Sequence, residues 1–327
     1  MLKTQEYWAH TDDGWQLHMK RTVRSGLERT RGRPVLIVPG YGMNGFIFGF
    51  HPRGTSLESC LAMADIEVWT VNLRLQGASR PLHRNAGQPS LRRYAELDVA
   101  AAVQVVLKYT QTTADKVDLF GCSLGGSIAY AHMALVGDQR IGSLVTVGAP
   151  LRWADVHPAV RFAFSSPRLA GAFKMGGART LAKAALPLLA RRAPRLLSVY
   201  MNSAHVDLER VSELIQTVED PHPRVNKDIA LWINNSDMIL RGINVTSALA
   251  NIRNPLLVVV SNRDGIVPEP AALSVVEAWG GIDRHILRVG DAVRWYAHAD
   301  LFVGNDAPAD VFEPIAHWLK DRWPNER

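Results

Sequence analysis

The 327-residue sequence predicts an α/β fold with a mostly parallel central sheet, helices on both faces and an inserted helical segment. Short apolar runs that end in glycine or polar residues alternate with segments of helical periodicity, which indicates buried parallel strands and their crossover helices. The alternation stops after Pro150 and resumes at Pro255. We therefore assign residues 1–150 and 247–327 to the core domain, and residues 151–246 to a helical lid insertion.

The predicted elements follow in order along the core. A turn at Asp13-Gly14 joins two short strands near the start. Ser90 to Lys108 is predicted to be a helix because its apolar residues recur at helical spacing. The insertion is predicted to be mostly helical, to contain no clear strand and to be broken by four prolines. Further strands are predicted over residues 34–38, 66–73, 116–120, 143–147, 256–263 and 285–289, and further helices over 56–64, 127–135 and 311–323.

Composition indicates a packed globular protein, because 47% of the residues are hydrophobic and 21% are charged. No uncharged segment reaches the roughly 20 apolar residues of a membrane-spanning helix. The first 14 residues lack the apolar centre of a secretory signal, so none is expected. The two cysteines, Cys60 and Cys122, do not suggest a disulfide framework. These features favour a cytoplasmic protein.

The formal charge of +6 is concentrated in one part of the chain. From Arg152 to Arg195 there are nine basic residues and one acid, a net charge of +8. Basicity is therefore a local property of the insertion, and no nucleic-acid partner is expected. Two interpretations stay open. The basic residues form a solvated face, or they meet an anionic lipid, a polyanion such as coenzyme A, or a polyester granule surface.

A nucleophile motif, G-x-S-x-G, occupies residues 121–125 between an apolar strand and a helix. In that context the tight turn lifts Ser123 Oγ out of the sheet, and the backbone N–H of Leu124 lies at the helix N-terminus beside a developing oxyanion. Cys122 precedes the nucleophile and is interpreted as a small buried thiol. Ser123 is the predicted nucleophile.

With this motif the chain resembles the α/β-hydrolase superfamily over nearly all of its length except the insertion. The sequence VPGYG at 38–42 is similar to the family's His-Gly oxyanion loop, and this resemblance implies Tyr41 N–H as the second oxyanion donor. The sequence NLRLQGASR at 72–80 is similar to a further family motif, with Leu75 in place of a glycine. The chain also resembles serine esterases and lipases, and polyhydroxyalkanoate synthases. Because the synthases carry cysteine at the position of Ser123, the serine favours hydrolysis.

The family order is serine, then acid, then histidine, which places the other two catalytic residues downstream. Asp264 directly follows the apolar strand that begins at Pro255, where the resemblance implies the acid. His298 lies in the loop between the last strand and the last helix, and is the predicted base. Its neighbour Asp300 is interpreted as a carboxylate that shapes the loop. The resulting α/β-hydrolase fold would carry a Ser123–His298–Asp264 triad.

These residues predict a carboxylic-ester hydrolase that acts on an apolar acyl group through an acyl-enzyme. An acyltransferase or thioesterase with the same acyl-enzyme is an alternative, and a non-catalytic binding protein is a second one. Histidines and cysteines show no metal-ligand spacing, and the glycine loops lack the Gly-Lys-Ser phosphate signature. No metal and no cofactor is therefore expected, and the expected partner is a small-molecule or lipid-like ester.

Overall fold

The computed structural model describes residues 1–26, 32–172, 176–192 and 197–323. The strands are β1 (Leu2–His10), β2 (Trp15–Arg24), β3 (Val35–Val38), β4 (Val68–Val71), β5 (Arg80–Pro81), β6 (Val117–Cys122), β7 (Ile141–Val147), β8 (Ile239–Leu240), β9 (Ile243–Asn244), β10 (Leu256–Ser261) and β11 (Arg284–Val289). Nine of them form one sheet of order β1-β2-β4-β3-β6-β7-β10-β11, with β5 paired to β2, while β8 and β9 form a separate hairpin.

Most of this sheet is parallel, as the sequence predicts. The pairs β1–β2, β2–β4 and β2–β5 are antiparallel, and every pair from β4 to β11 is parallel. The strands β3, β4, β6 and β10 are buried along their whole length, which explains their continuous apolar sequences. Parallel strands end at the same edge of the sheet, so the loops that follow β6, β7, β10 and β11 lie near one another.

The helices are α1 (Leu57–Met63), α2 (Leu91–Arg93), α3 (Val99–Tyr109), α4 (Leu124–Val136), α5 (Pro158–Ala163), α6 (Pro167–Ala172), α7 (Ala178–Arg192), α8 (Val211–Leu214), α9 (Pro223–Asn235), α10 (Val245–Ala248), α11 (Glu269–Ala278), α12 (Asp300–Val303) and α13 (Glu313–Lys320). A π-helical turn, Tyr94–Asp98, joins α2 to α3. The helix predicted over residues 90–108 is thus confirmed, and the Ser90 hydroxyl caps it by accepting a hydrogen bond from Arg93 N–H.

The core lies on both faces of the sheet. Alternate residues of one strand point to opposite faces, so Leu36 and Val38 belong to one buried cluster while Val35 and Ile37 belong to the other. Helices α3, α4 and α11 cover the first face, and α1, α12 and α13 cover the second. This is the layered arrangement that the alternation of strands and helices predicts.

Residues 151–246 connect β7 to β10 and are mostly helical, as predicted. They also contain extended pairs that the sequence does not predict: the β8–β9 hairpin, and isolated antiparallel bridges from Val218 to Met43 and from Val206 to Gly304. No helix among the described residues is long and apolar enough to cross a membrane.

Candidate active site

Ser123 occupies a strained turn between β6 and α4. Its backbone angles, φ 51° and ψ −123°, lie in a region that residues other than glycine rarely adopt. The glycines of the motif permit the close approach that the turn needs. A Cβ atom on Gly125 would lie 2.2 Å from the carbonyl oxygen of Val38, and one on Gly121 would lie 2.3 Å from the Cα of Gly126. The motif is therefore folded as a strand–turn–helix unit that presents the serine.

Asp264 and His298 form a hydrogen-bonded pair. His298 Nδ1 lies 2.6 Å from Asp264 Oδ2, and both side chains are largely buried. The other carboxylate oxygen, Oδ1, accepts hydrogen bonds from the N–H groups of Ile266 and Val267, each at 2.8 Å. In a neutral imidazole, a hydrogen bond to an ionised carboxylate puts the proton on Nδ1 and leaves the lone pair on Nε2, because the carboxylate only accepts hydrogen bonds. This tautomer is the one that a general base requires.

The structure brings Ser123 to the same edge of the sheet as this pair. Ser123 N–H donates a 2.8 Å hydrogen bond to the carbonyl of Val147, the residue before Gly148. A Cβ atom on Gly148 would lie 3.1 Å from His298 Cε1 and 3.4 Å from Asp264 Oδ2. Within the described residues, Ser123 Oγ makes no hydrogen bond to His298. Catalytic hydrogen bonds are often longer without substrate and tighten when it binds.

The other histidines after Asp264 lie away from Ser123. His285 is exposed on β11, where its Nε2 lies 2.9 Å from Asp283 Oδ1, and His317 lies within α13.

Two backbone N–H groups beside Ser123 have no partner in the described parts of the chain: those of Tyr41 and Leu124. Leu124 is the first residue of α4, where the N–H groups of the first turn are unpaired and the helix dipole favours negative charge. A Cβ atom on Gly40, the residue before Tyr41, would lie 3.0 Å from Ser123 Cβ, so this loop runs directly past the nucleophile. The two donors therefore flank Ser123.

A polar side chain holds the loop that carries Tyr41 N–H. Gln76 is buried, and its Nε2 donates a 3.3 Å hydrogen bond to the carbonyl of Gly40. Its Oε1 accepts a 2.8 Å hydrogen bond from Leu73 N–H, which fixes the amide. In a trans peptide the C=O and N–H point in opposite directions, so this contact orients the Tyr41 N–H as well. Leu75, which precedes Gln76, has φ 66°, in the left-handed region that favours glycine. The family motif similar to residues 72–80 has glycine at this position.

An apolar cavity of about 190 Å³ opens at Ser123. Its lining includes two buried tryptophans, Trp153 and Trp232, whose rings pack edge to face with centroids 5.5 Å apart. The Trp232 indole N–H donates to the carbonyl of Leu151 at 3.1 Å and so has a partner. The remaining lining is almost entirely apolar and comes from both the core and the insertion: Tyr41, Leu124, Pro150, Val160, Phe164, Ile229, Ile233, Ile266 and Val267.

The insertion supplies this lining through residues that the sequence does not single out. Phe164 lines the Ser123 cavity, whereas the apolar residues Phe162, Leu169 and Leu181 of the insertion are 84%, 72% and 64% exposed. Phe173 and the side chain of Leu188 lie outside the described residues. The amphipathic spacing of Ile229, Trp232 and Ile233 on α9 is the signal that identifies the lining correctly.

Asp300 shapes the loop that carries His298, as the sequence interpretation has it. It is fully buried, and its carboxylate accepts hydrogen bonds from Ala297 N–H at 2.7 Å and from Asn202 N–H at 3.0 Å. Burial raises the pKa of the Asp300 carboxyl to about 6. Tyr200 packs nearby, with its ring centroid 6.2 Å from that of His298. The segment around residues 200–202 thus supports the histidine loop from the insertion side.

Cys122 is buried as expected, and burial raises the pKa of its thiol, so it is a poor nucleophile. The described basic side chains between Arg152 and Arg195 are exposed: Arg152, Arg161, Arg168, Arg179, Lys183 and Arg192. Lys174, Arg195 and the side chain of Arg191 lie outside the described residues.

Comparisons with known proteins agree on one family. Residues 33–290 match the family model described as the alpha/beta hydrolase fold. The sequence is 27% identical over 244 residues to a pimeloyl-(acyl-carrier protein) methyl ester esterase of Vibrio parahaemolyticus, covering 73% of this chain and 78% of that one. In structure it is similar to a soluble variant of Saccharomyces cerevisiae monoglyceride lipase, with a TM-score of 0.63, 16% identity and coverage of 98% and 96% of the two chains. An esterase of Thermogutta terrifontis gives a TM-score of 0.62 at 17% identity, with coverage of 98% and 100%.

Proposed function

This chain belongs to the α/β-hydrolase family, and we propose that it is a carboxylic-ester hydrolase with Ser123, His298 and Asp264 as its catalytic triad. The observation that carries the proposal is the 2.6 Å hydrogen bond between His298 Nδ1 and Asp264, at the sheet edge where Ser123 adopts its strained turn. Because one fold supports many reactions, the proposal rests on these residues and not on the family alone.

Each residue of the triad has one role. A serine hydroxyl is a weak nucleophile, so His298 Nε2 takes the proton from Ser123 Oγ as Oγ attacks the ester carbonyl. The tetrahedral intermediate then breaks its bond to the alkoxy oxygen, which leaves as the alcohol with the proton from His298. Asp264 holds the imidazole in the required tautomer and stabilises its charged form. Water, activated by His298, attacks the acyl-enzyme and releases the carboxylic acid.

The negative charge that develops on the carbonyl oxygen needs preorganised donors. The N–H groups of Tyr41 and Leu124 flank Ser123 and have no other partner among the described residues, so both are available to the oxyanion. Removing one such donor costs on the order of 10²–10³ in kcat in the serine proteases. We assign the oxyanion hole to these two groups.

The substrate is an ester with an apolar acyl group. The cavity at Ser123 is lined by aliphatic and aromatic side chains, with no charged residue among them. An apolar chain bound there leaves water, and each buried methylene group favours binding by about 0.8 kcal/mol. We further propose that residues 151–246 act as a lid. In support, Val160, Phe164 and Trp232 of the insertion line this cavity together with Ser123.

Covalent labelling and ester cleavage test the proposal together. A fluorophosphonate probe should label the wild-type protein at Ser123, and p-nitrophenyl esters from acetate to palmitate should be hydrolysed. Ser123→Ala should abolish labelling and lower kcat by about 10⁶, by the precedent of subtilisin. Ser247→Ala is the matched control, because Ser247 is exposed on α10 and lies outside the cavity.

Three outcomes separate the alternatives. Labelling without hydrolysis, but with transfer to an added alcohol or thiol, would assign acyl transfer to the same acyl-enzyme. Faster release from acyl thioesters than from oxygen esters would assign a thioesterase. Failure of the folded protein to react with the probe would contradict the catalytic proposal and favour a binding protein.

We also propose that the exposed basic residues of the insertion meet an anionic partner that presents the ester. The Vibrio relative is named for one such presentation, a methyl ester on an acyl-carrier protein, and an anionic lipid surface is the other. Arg161, Arg168 and Lys183 are exposed on the helices α5 to α7. Activity on a carrier-bound methyl ester, or binding to phosphatidylglycerol vesicles, should then fall as salt shortens the screening length below about 10 Å. If neither the activity on the carrier-bound ester nor the binding to vesicles depended on salt, this partner proposal would be contradicted. The basic residues would then form only a solvated face.

A further inference from the structure

A second apolar cavity lies on the outer side of the first. It has a volume of about 500 Å³ and is open to solvent at Leu169, which is 72% exposed; it is lined by Tyr41, by Asn226 of α9 and, on its other side, by Ala163, Phe164, Leu169, Ala170 and Ala172. The last five residues belong to the hairpin of α5 and α6, which packs on α9: a Cβ atom on Gly171 would lie 3.2 Å from Lys227 Cβ. We refer to the cavity at Ser123 as the inner cavity and to this one as the outer cavity.

The two cavities share one wall. Tyr41 and Phe164 line both of them, and their rings meet edge to face with centroids 6.0 Å apart. The Tyr41 hydroxyl donates a 2.7 Å hydrogen bond to Asn226 Oδ1, which fixes the ring against α9. Among the described residues, Tyr41 and Phe164 are the lining that the two cavities have in common.

The inner cavity is too small for a long chain. A cavity of about 150 Å³ lined by aliphatic residues accommodates benzene, with six carbons. By this measure the inner cavity, at about 190 Å³, holds roughly six to eight carbons. A longer acyl chain must leave it, and beyond Tyr41 and Phe164 such a chain meets the mostly apolar, partly solvent-exposed lining of the outer cavity.

We propose that the outer cavity is a second apolar subsite, which binds the distal part of an acyl chain that the inner cavity cannot hold. Tyr41 and Phe164 form the gate between the two subsites, and rotation of the Phe164 side chain opens it without moving the oxyanion loop. This inference rests on the proposed ester hydrolysis for its substrate, but the subsite is defined by the apolar lining alone. The ligand class is a medium- or long-chain acyl group.

Chain-length selectivity tests the subsite. Each methylene group that becomes buried is worth about fourfold in kcat/KM. Leu169→Ala removes apolar lining from the outer cavity, and Ala163→Trp fills it. Both variants should lower the ratio of kcat/KM for p-nitrophenyl laurate to that for p-nitrophenyl butyrate by about tenfold, the effect of losing roughly two buried methylenes. Leu181→Ala makes the same change at an exposed position that lines neither cavity, and should keep the wild-type ratio.

A binding measurement separates this inference from the proposed reaction. Laurate should bind the Ser123→Ala protein in calorimetry, and Leu169→Ala added to it should weaken the Kd about tenfold, while Leu181→Ala should not. An unchanged selectivity ratio together with unchanged laurate affinity in Leu169→Ala and Ala163→Trp would overturn the subsite. If the wild type cleaved neither ester, the proposed function would fail, and the laurate affinities would still decide the subsite.

Discussion

The buried carboxyl of Asp300 should make the stability of the protein depend on pH in a predictable direction. Burial raises its pKa from 3.8 to about 6, and no basic side chain forms an ion pair with it among the described residues. The groups that act on it electrostatically are His205, which lowers its pKa, and Asp264, which raises it. The folded protein therefore holds this proton more tightly than the unfolded chain does.

The sign and size of the effect follow from linkage. Between pH 3.8 and about 6 the folded state binds more protons at this site than the unfolded state, so the stabilising contribution is complete below pH 3.8 and is lost as the pH rises through 6. A shift of about two pKa units corresponds to about 3 kcal/mol in all. Roughly 2 kcal/mol of this should be lost between pH 4 and pH 7.

Asp300→Asn removes the titration and tests the prediction. Asparagine keeps one acceptor for Ala297 N–H but places an amide nitrogen near Asn202 N–H, which costs about 1–3 kcal/mol at every pH. Urea unfolding at several pH values should show that the stability advantage of the wild type over Asp300→Asn shrinks by about 2 kcal/mol from pH 4 to pH 7. Asp115→Asn makes the same change at an exposed site and should follow the wild type. A constant difference between wild type and Asp300→Asn would refute the assignment of this titration to Asp300.

Three substitutions test the site and its surroundings. Gly125→Ala should destabilise the turn and abolish fluorophosphonate labelling, because the new Cβ would lie 2.2 Å from the carbonyl oxygen of Val38; a folded, labelled variant would contradict this. Gln76→Leu removes the donor to the Gly40 carbonyl and should lower kcat about tenfold with little change in KM, whereas an unchanged kcat would show that the peptide needs no such support. Trp232→Ala should lower the free energy of unfolding in urea by about 3–5 kcal/mol and shift the preferred acyl chain to greater length. A decrease below about 1 kcal/mol would mean that the surrounding side chains close around the gap.

The sequence predicts the core elements because their signals are local. A buried parallel strand needs a continuous apolar run, and the turn at Ser123 needs glycine wherever a Cβ would meet the backbone of a neighbouring strand. The strands around Ser123 and before Asp264 therefore lie close to their predicted positions. The predicted bounds are less accurate where the chain leaves the sheet: β4 is Val68–Val71, shorter than the predicted run of 66–73.

The contacts of the insertion could not be predicted in the same way. Phe162 and Phe164 are two residues apart and equally apolar, yet the first is 84% exposed and the second lines the cavity. Their difference depends on how α6 and the residues before it pack against α9, where Asn234 Nδ2 donates a 3.2 Å hydrogen bond to the Phe164 carbonyl; this is a long-range contact without a local signal. Tyr200 and Asn202 support the histidine loop for the same reason: the hydrogen bonds from residue 202 join positions almost one hundred residues apart.

The insertion contacts the loop that contains Tyr41 through main-chain hydrogen bonds, in addition to the side chains that line the cavity. Asn44 N–H donates to the carbonyl of Thr217 at 2.9 Å, and Glu219 N–H donates to the carbonyl of Gly42 at 2.8 Å. Glu219 Oε1 also accepts a 2.6 Å hydrogen bond from Asn44 Nδ2. Tyr41, whose N–H we assign to the oxyanion hole, directly precedes the paired residues. Because the pairing holds the loop from outside while the Gly40 carbonyl is held from inside, residues 217–219 help to fix the position of this loop. The proposed lid must therefore keep this segment in place when it opens, and we expect the mobile part to be the α5–α6 segment, which makes no such backbone pairing with the loop among the described residues.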